Sequence, residues 1–244
     1  MNDGITLPVV ELFGPTIQGE GMLIGVQSHF VRLAFCDFKC HWCDSMHAVD
    51  PKRAMANLTK MDIPTLIEKI TALQYTRWVT ISGGNPGIHV NVGLLVKALH
   101  NKGYKVAVET QGTLWQDWMA DVDLLTWSPK PPSSGTGYNR DSAAKFMDRI
   151  VDTDSVRRRV CMKIPVGDET DFAWAQDFYG AYGNSPMVDS FVLQGVNDQP
   201  GNPQMPVMLE HLKWLAEKVL ASGMSKALVL PQMHVLMWGN EVGK

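Results

Sequence analysis

The segment Cys36-Asp-Phe-Lys-Cys40-His-Trp-Cys43 holds three of the four cysteines of the chain within eight residues. It comes directly after Ser28–Ala34, an apolar and β-branched run that predicts a strand. Three thiolates at these spacings can bind three irons of one four-iron cluster, which leaves the fourth iron open to a ligand from outside the protein. The segment therefore predicts an iron–sulfur centre that binds a small molecule at the end of a strand.

Two other interpretations of the cysteines stay open at this point. A zinc site usually has two Cys-x-x-Cys pairs, or cysteines with well-spaced histidines, and here only His41 lies between the thiols. The three thiols could also be unrelated core residues. Cys161 lies in an apolar run and is interpreted as a small buried side chain. Four cysteines in 244 residues are too few for a disulfide scaffold, which favours a reducing compartment.

Composition excludes several classes of protein. Hydrophobic residues make up 45% and charged residues 19% of the 244, so a disordered chain is excluded, and we expect one domain over residues 1–244. The net charge of −3 offers no basic surplus for nucleic acid, and the run Arg157-Arg158-Arg159 is expected to be a solvated face. Neither a membrane span nor a signal peptide is recognisable, so we expect a cytoplasmic protein with no membrane partner.

Short apolar runs bounded by turn-forming residues predict seven strands. They are Ser28–Ala34, Trp78–Ser82, Lys105–Glu109, Leu124–Trp127, Val160–Ile164, Ser190–Gln194 and Ala227–Leu230. Three helices are predicted between them, from Asp62 as the cap to Leu73, from Val92 to Lys102, and from Met208 to near Gly223. This alternation predicts an α/β fold with a parallel sheet, either a partly closed barrel or an open sheet.

The loops of this predicted sheet are uneven. Pro129–Gly137 and Gln199–Pro206 are rich in Pro and Gly and follow strands, at the sheet end where parallel α/β proteins place their sites. Gly83 and Gly84 close another strand, where two glycines let a backbone approach a ligand closely. The connection from Ser45 to about Asp62 is expected to be a short link before the next helix.

The pattern Cys-x3-Cys-x-aromatic-Cys, with Trp42 in the aromatic position, resembles the radical S-adenosylmethionine (SAM) superfamily. The resemblance implies that Cys36, Cys40 and Cys43 hold a 4Fe–4S cluster whose open iron binds SAM. One electron from the cluster would then cleave SAM and generate a radical that abstracts hydrogen from the substrate. The segment that ends in Asn85-Pro86 is similar to the Gly-Gly-Glu-Pro segment of these enzymes, but it has Asn85 where Glu is usual.

Five further segments narrow the resemblance to the 7-carboxy-7-deazaguanine synthase family. They are Pro15-Thr-Ile-Gln18-Gly-Glu-Gly21, Cys43-Asp44-Ser45, Glu109-Thr-Gln111-Gly112, Ser128-Pro-Lys130 and Pro231-Gln-Met-His234. The resemblance implies a modified, partly closed (β/α) barrel and a lyase of the queuosine (7-deazapurine) pathway. Such an enzyme contracts the ring of 6-carboxytetrahydropterin to give 7-carboxy-7-deazaguanine, releases ammonia, regenerates SAM and uses Mg²⁺.

The same resemblance assigns roles to individual residues. SAM contacts are implied for Trp42, Cys43, Asp44, Gly84, Ser128, Pro129, Lys130 and Gln194. Substrate contacts are implied for Ile17, Gln18, Gly19, Arg32, Ser82, Glu109 and Gln111. Ser45 is the implied Mg²⁺ ligand, although chemistry alone favours Asp44, and His234 is the candidate for proton transfer. No role is predicted for the other histidines.

The expected partners are the pterin substrate, a reductant such as flavodoxin, and a second copy of the chain in a homodimer. Two rival functions are also consistent with the cysteines. One is a small radical SAM enzyme that places a glycyl radical on a protein partner. The other is an electron carrier or zinc-stabilised binding module, which would not cleave SAM.

Overall fold

The computed structural model describes residues 4–153, 155–239, 241 and 243. The strands are β1 (Thr6–Ile17), β2 (Gln27–Leu33), β3 (Thr59–Asp62), β4 (Trp78–Gly83), β5 (Lys105–Thr110), β6 (Leu124–Trp127), β7 (Arg159–Val166), β8 (Ser190–Gly195) and β9 (Ala227–Leu230). The α-helices are α1 (Met46–Val49), α2 (Pro51–Asn57), α3 (Ile63–Ala72), α4 (Val92–Asn101), α5 (Arg140–Asp152), α6 (Glu169–Tyr182), α7 (Met205–Ser222) and α8 (Met233–Trp238).

The nine strands of the described residues form one sheet in the order β3-β1-β2-β4-β5-β6-β7-β8-β9. Strand β1 runs antiparallel to both of its neighbours, whereas β2 and β4 to β9 are parallel to one another. The sheet is open, with β3 and β9 at its edges. It curls so far that the Met233 backbone N–H, after β9, donates to the Gly19 carbonyl, after β1, at 3.0 Å. The predicted partly closed barrel is confirmed.

The seven predicted strands are all present and account for the whole parallel part of the sheet. Strands β1 and β3 were not predicted. Strand β1 contains Pro8, Gly14 and Pro15, which are typical of turns, and its pairing with β2 shifts register between Val9 and Glu11 and again between Phe13 and Thr16. Such bulges interrupt the apolar alternation by which a strand is recognised.

The three predicted helices are confirmed, with changes at their ends. The Asp62 carboxylate caps α3 by accepting from the Thr65 N–H at 2.8 Å, and Gly223 ends α7 with a φ of 78°. The prediction of loop up to Pro206 was wrong by two residues, because α7 begins at Met205 and a first turn tolerates proline. The link before α3 is not plain coil either, since it contains α1, α2 and β3.

The run Arg157-Arg158-Arg159 is only partly the solvated face that was expected. Arg158 is 8% exposed, donates from Nη2 to the Ile150 carbonyl at 2.7 Å and lies 5.5 Å from the centre of the Trp115 ring. Buried arginine needs such partners for its donors, and an aromatic face suits a guanidinium. Of the described helices, none is both long enough and apolar enough to pass through a bilayer.

Alternation along the parallel strands separates the core from the site. In β7, Val160, Met162 and Ile164 pack into the main hydrophobic core, so the side chains between them point to the opposite, concave face. That face carries a small apolar cluster, which includes Leu23 and Cys161, together with polar side chains such as Lys163. Cys161 is fully buried there, as predicted.

Candidate active site

One cavity lies at the carboxyl ends of the parallel strands and gathers residues from nearly the whole chain. The predicted site residues on its wall are Ile17, Gln18, Gly19, Arg32, Cys36, Cys40, Trp42, Cys43, Asp44, Ser45, Ser82, Gly84, Glu109, Gln111, Ser128, Lys130, Gln194 and His234. Pro129 is buried beside this wall and does not line it. The polar residues on the wall that were not predicted include Glu11, Glu20, His47, Lys163, Asn197 and Gln232.

Strand alternation explains how five polar side chains reach the cavity. They are Arg32 on β2, Ser82 on β4, Glu109 on β5, Lys163 on β7 and Gln194 on β8. Each follows an apolar residue that packs in the main core, so each points to the concave face of the sheet. The same alternation identifies Lys163 in the sequence, as the one charged residue within the apolar run Val160–Ile164.

The cysteine loop (residues 35–45) is held against the end of β4. The Gly84 N–H donates to the Leu33 carbonyl at 3.0 Å and the Asn85 N–H to the Phe35 carbonyl at 2.8 Å. A Cβ on Gly84 would lie 1.8 Å from the Phe35 oxygen. Glycine is therefore required at this position so that the backbone can contact the cysteine loop. The sequence predicted a different reason, namely close approach of this backbone to a ligand.

The three thiols fit a metal cluster by their chemistry and surroundings. Cys36, Cys40 and Cys43 are free, partly buried and on the same wall. Burial, followed by the charge of Asp44, raises the pKa of the Cys43 thiol to about 12. These thiols stay protonated at neutral pH unless a bound cation stabilises the thiolates.

Two residues considered for a fourth protein ligand lie elsewhere. His41 is absent from the described cavity wall, and its ring packs against Gly135, where an added Cβ would be 2.5 Å away. Cys161 lies in the apolar cluster of the concave face. The arrangement therefore disfavours the zinc interpretation and leaves a three-thiol set.

Lys130 and Ser128 follow β6 and stand beside the thiols. The Lys130 Nζ donates to the Ser128 carbonyl at 2.8 Å and to the Ser128 Oγ at 2.9 Å. Burial lowers the pKa of Lys130, while the nearby Cys40 and Cys36 oppose that shift. An anionic group bound here would pair with the ammonium.

Trp42 is held by a partly buried polar contact in addition to apolar packing. Its Nε1 donates to the Ser133 Oγ at 2.9 Å, and that hydroxyl donates to the Asp171 Oδ2 at 2.6 Å. Asp171 is fully buried and also accepts from the Ser133 and Gly167 backbone N–H groups, both at 2.9 Å. The cysteine loop, the loop after β6 and the loop after β7 are thereby joined.

Two carboxylates share one buried lysine at the base of the cavity. Lys163 forms an ion pair with Glu20, whose Oε1 also accepts from the Gln232 Nε2 at 2.8 Å. Burial opposes ionisation of Glu20, but Lys163 lowers the pKa of this carboxyl below its ordinary value. Glu109 accepts from the Gln18 Nε2 at 2.9 Å, and burial followed by the nearby Glu20 charge raises the pKa of Glu109, against the effect of Lys163.

Arg32 and Ser45 meet on the wall of the same cavity. Arg32 donates from Nε to the Glu11 Oε2 at 2.5 Å and from Nη1 to the Ser45 Oγ at 3.0 Å. Ser45 in turn donates to the Asp44 Oδ1 at 2.9 Å and makes no capping hydrogen bond to α1, although it holds the N-cap position. His47, for which no role was predicted, pairs with Glu11 at 2.9 Å.

His234 approaches the segment after β1 because that segment has a glycine. A Cβ on Gly19 would lie 2.2 Å from the His234 Nδ1. Glu20, Asp44 and His234 each place one ligand atom within 4.8 Å of the others. This corner has the oxygen donors that a divalent cation requires.

Several buried polar atoms on the wall have no hydrogen-bond partner within the described residues. They are the Ser82 Oγ, the Gln194 Oε1, the Asn197 Nδ2 and the Gln232 Oε1. Leaving such atoms unpaired in a protein interior is costly, so they indicate a polar ligand. Ser82 and Gln194 were predicted from the sequence, whereas Asn197 was missed because it lies in a loop without a recognised motif.

Comparisons with known proteins agree with this geometry. Residues 31–125 match the Radical SAM superfamily. The chain is similar to the 7-carboxy-7-deazaguanine synthase of Bacillus cereus, with 37% identity over 97% of this chain and 98% of that protein. The enzyme of the same name from Bacillus subtilis is 36% identical over the same shares of the two chains.

A solved structure has the same fold. It is described as the crystal structure of QueE from Escherichia coli, and it superposes with a TM-score of 0.69. The alignment covers 94% of this chain and 95% of that chain at 23% identity, so the likeness concerns the fold.

Proposed function

Because this chain belongs to the 7-carboxy-7-deazaguanine synthase family of radical SAM enzymes, we propose that it converts 6-carboxytetrahydropterin to 7-carboxy-7-deazaguanine with loss of ammonia. The observation that carries the proposal is one cavity wall on which three free thiols face a buried carboxylate and an arginine. These are the groups needed for a cluster, for a guanidine-like ring edge and for a substrate carboxylate. The proposed pathway is queuosine biosynthesis.

Cys36, Cys40 and Cys43 would hold the 4Fe–4S cluster. When bound, the cluster and SAM together supply the single-electron cleavage that provides a hydrogen-abstracting radical. Lys130 and Ser128 would pair with the anionic end of SAM, because they contact each other and share the wall with the thiols. Trp42 and the unpaired Gln194 Oε1 would contact the rest of SAM, because both lie on the same wall.

Glu109 and Gln18 would recognise the pterin edge. Their hydrogen bond orders a carboxylate and an amide side by side, which suits a ring edge with adjacent N–H donors. Arg32, fixed by Glu11, would bind the substrate carboxylate through its fork of donors. Lys163 keeps Glu20 ionised and offsets its charge, so the net negative charge at the base of the cavity, where the ring edge would bind, depends on Glu109.

Ser45 is our candidate Mg²⁺ ligand, with Asp44 next to it. The Ser45 Oγ already contacts Arg32 and Asp44, so a cation there would replace these contacts. Because a hydroxyl brings no charge, the substrate carboxylate would complete the site, and Mg²⁺ would bind mainly together with substrate. His234 is the candidate for moving protons as ammonia leaves, since its ring stands in the corner with Glu20 and Asp44.

A flavodoxin-like reductant, a homodimer and a cytoplasmic location are part of the same proposal. They are properties expected of an enzyme of this kind, and each has its own test. Reduction by purified flavodoxin would be followed by the absorbance of the cluster. The dimer would be measured by light scattering of the reconstituted protein.

The test of the reaction is anaerobic turnover of the reconstituted protein with 6-carboxytetrahydropterin, SAM, Mg²⁺ and dithionite. We expect 7-carboxy-7-deazaguanine by mass spectrometry and one ammonia per product. Cys40→Ala should abolish both, whereas Cys161→Ala, which changes the cysteine outside the site, should retain iron and turnover. Absence of product from protein with full iron content and measurable SAM cleavage would contradict the proposed substrate.

A further inference from the structure

A polar cluster behind the cysteine loop has no place in the reaction described above. It consists of Asp37, Asn85, Gln111 and Thr113, which we call the Asp37 cluster. Asp37 belongs to the cysteine loop, Asn85 follows β4, and the other two follow β5. Asn85 is fully buried and Gln111 is 4% exposed.

Asp37 accepts three hydrogen bonds from this cluster. Its Oδ1 accepts from the Gln111 Nε2 at 2.5 Å and from the Asn85 Nδ2 at 2.8 Å, and its Oδ2 accepts from the Thr113 Oγ1 at 2.5 Å. An ionised carboxylate cannot donate, so both amides must turn their NH₂ groups towards it. Asp37 thereby fixes the orientation of the Gln111 side chain.

The same Gln111 nitrogen also reaches a predicted cluster ligand. It donates to the Cys36 Sγ at 3.6 Å, where sulfur hydrogen bonds are long, and the Phe38 N–H is a further donor to this sulfur at 3.4 Å. The Gln111 side chain was predicted to bind substrate, but its amide is engaged with Asp37 and Cys36.

Asn85 completes this arrangement by using every hydrogen-bonding position of its amide. It donates to Asp37 and, at 3.3 Å, to Thr113, and its Oδ1 accepts from the Gly87 N–H at 3.0 Å and the Thr110 Oγ1 at 2.8 Å. A glutamate at this position would bring a second carboxylate against Asp37. The asparagine that departs from the usual motif thus suits an aspartate in the cysteine loop.

We propose that Gln111 is a positioning residue for Cys36, which it supplies with an amide donor, and that Asp37 and Asn85 hold that amide in place. The inference rests on the proposed cluster at Cys36, Cys40 and Cys43. A donor to a ligand sulfur stabilises the reduced cluster, which carries more negative charge, and so raises its reduction potential. It also slows the loss of iron by stabilising the thiolate.

The test replaces Gln111 by methionine, which keeps the length of the side chain and removes the donor. Gln116→Met is the matched control, because Gln116 follows the same strand and donates to the Gly87 carbonyl at 2.8 Å instead of to a cysteine. The reconstituted proteins are titrated potentiometrically with EPR detection, and iron loss to a chelator is timed. We expect Gln111→Met to lower the midpoint potential and to accelerate iron loss about 10- to 100-fold, with Gln116→Met at wild-type values.

Asn85→Asp is the second variant, since it keeps the acceptor bonds to Gly87 and Thr110 and removes the donor bonds to Asp37 and Thr113. It should shift the midpoint potential in the same direction as Gln111→Met, while circular dichroism of the metal-free proteins stays native. Wild-type potential and iron loss in both variants would overturn the inference. If wild-type protein binds no 4Fe–4S cluster, the proposed function itself fails, which is a different and separately visible result.

Discussion

Gly84→Ala tests whether the cysteine loop needs glycine at the end of β4. An added Cβ would lie 1.8 Å from the Phe35 oxygen, about 1.6 Å inside the 3.4 Å at which ordinary contact begins. The φ angle of Gly84 lies outside the left-handed region, so the effect is purely steric. Phe35 is followed directly by Cys36, and relief of the overlap must move the backbone that carries this thiol.

The expected loss of stability follows from this overlap. Overpacking costs about 3 kcal/mol when the neighbour is backbone and cannot rotate away. For a chain of this length, that corresponds to a fall in Tm of roughly 6–12 °C. Because the cysteine backbone moves, we also expect less iron per chain after anaerobic reconstitution.

Thermal unfolding by circular dichroism and a colorimetric iron assay measure the two effects. The control is Gly180→Ala in α6, where an added Cβ would meet no atom within 4 Å. That change should raise Tm by about 1–4 °C, since alanine is the better helix former. The reasoning is refuted if Gly84→Ala unfolds within about 2 °C of wild type and binds the wild-type amount of iron.

Three further predictions concern buried charges. Lys163→Met should lower the free energy of unfolding in urea by about 3–5 kcal/mol. The reason is that Glu20 loses its partner in an ion pair whose side chains are only 10% and 13% exposed. The control Lys213→Met, at a side chain that is 67% exposed, should change this free energy by under about 0.5 kcal/mol. Glu109→Gln should raise Tm at neutral pH and abolish turnover. Because the pKa of Glu109 is raised in the folded protein, ionisation of this carboxyl destabilises the fold. The gain in Tm from Glu109→Gln should therefore shrink as pH falls through that pKa and vanish below about pH 4. An equal gain in Tm at every pH would contradict this reasoning. Asp171→Asn should lower the free energy of unfolding by about 1–3 kcal/mol, because at least one of three hydrogen-bond donors loses its acceptor. It should also raise the KM for SAM. An unchanged KM would show that the loop after β6 does not need this contact.

Much of the fold could be predicted because its signals are local. The parallel strands are apolar runs with turn residues at their ends, and the first turn of α3 shows its cap at Asp62 and its proline at Pro64. Strands β1 and β3 lack such a signal. Strand β1 is bulged and contains prolines, and β3 (Thr59–Asp62) is a short edge strand with exposed residues. Strand β1 forms on the free edge of β2, and β3 then pairs with β1, so both depend on the assembled sheet.

Site residues could be predicted where the side chain belongs to a sequence motif. They were missed where the role of the side chain depends on a contact with a residue that is distant in the sequence. Glu109 and Arg32 stand in or near recognisable segments. Lys163 had only its odd position in an apolar strand as a signal, and His47 and Glu11 had none. Gln111 was found, but its contact with Cys36 could not be foreseen, because the two lie 75 positions apart.

The seven parallel strands, three of the helices, the three cysteines and the family were determined by the sequence alone, because alternation, capping and spacing act over a few neighbouring residues. Only the tertiary structure decided which charges meet. Lys163 reaches Glu20 across 143 positions and Gln232 reaches Glu20 across 212. These contacts exist because the sheet curls until the chain after β9 touches the chain after β1, and curling depends on the packing of every strand together.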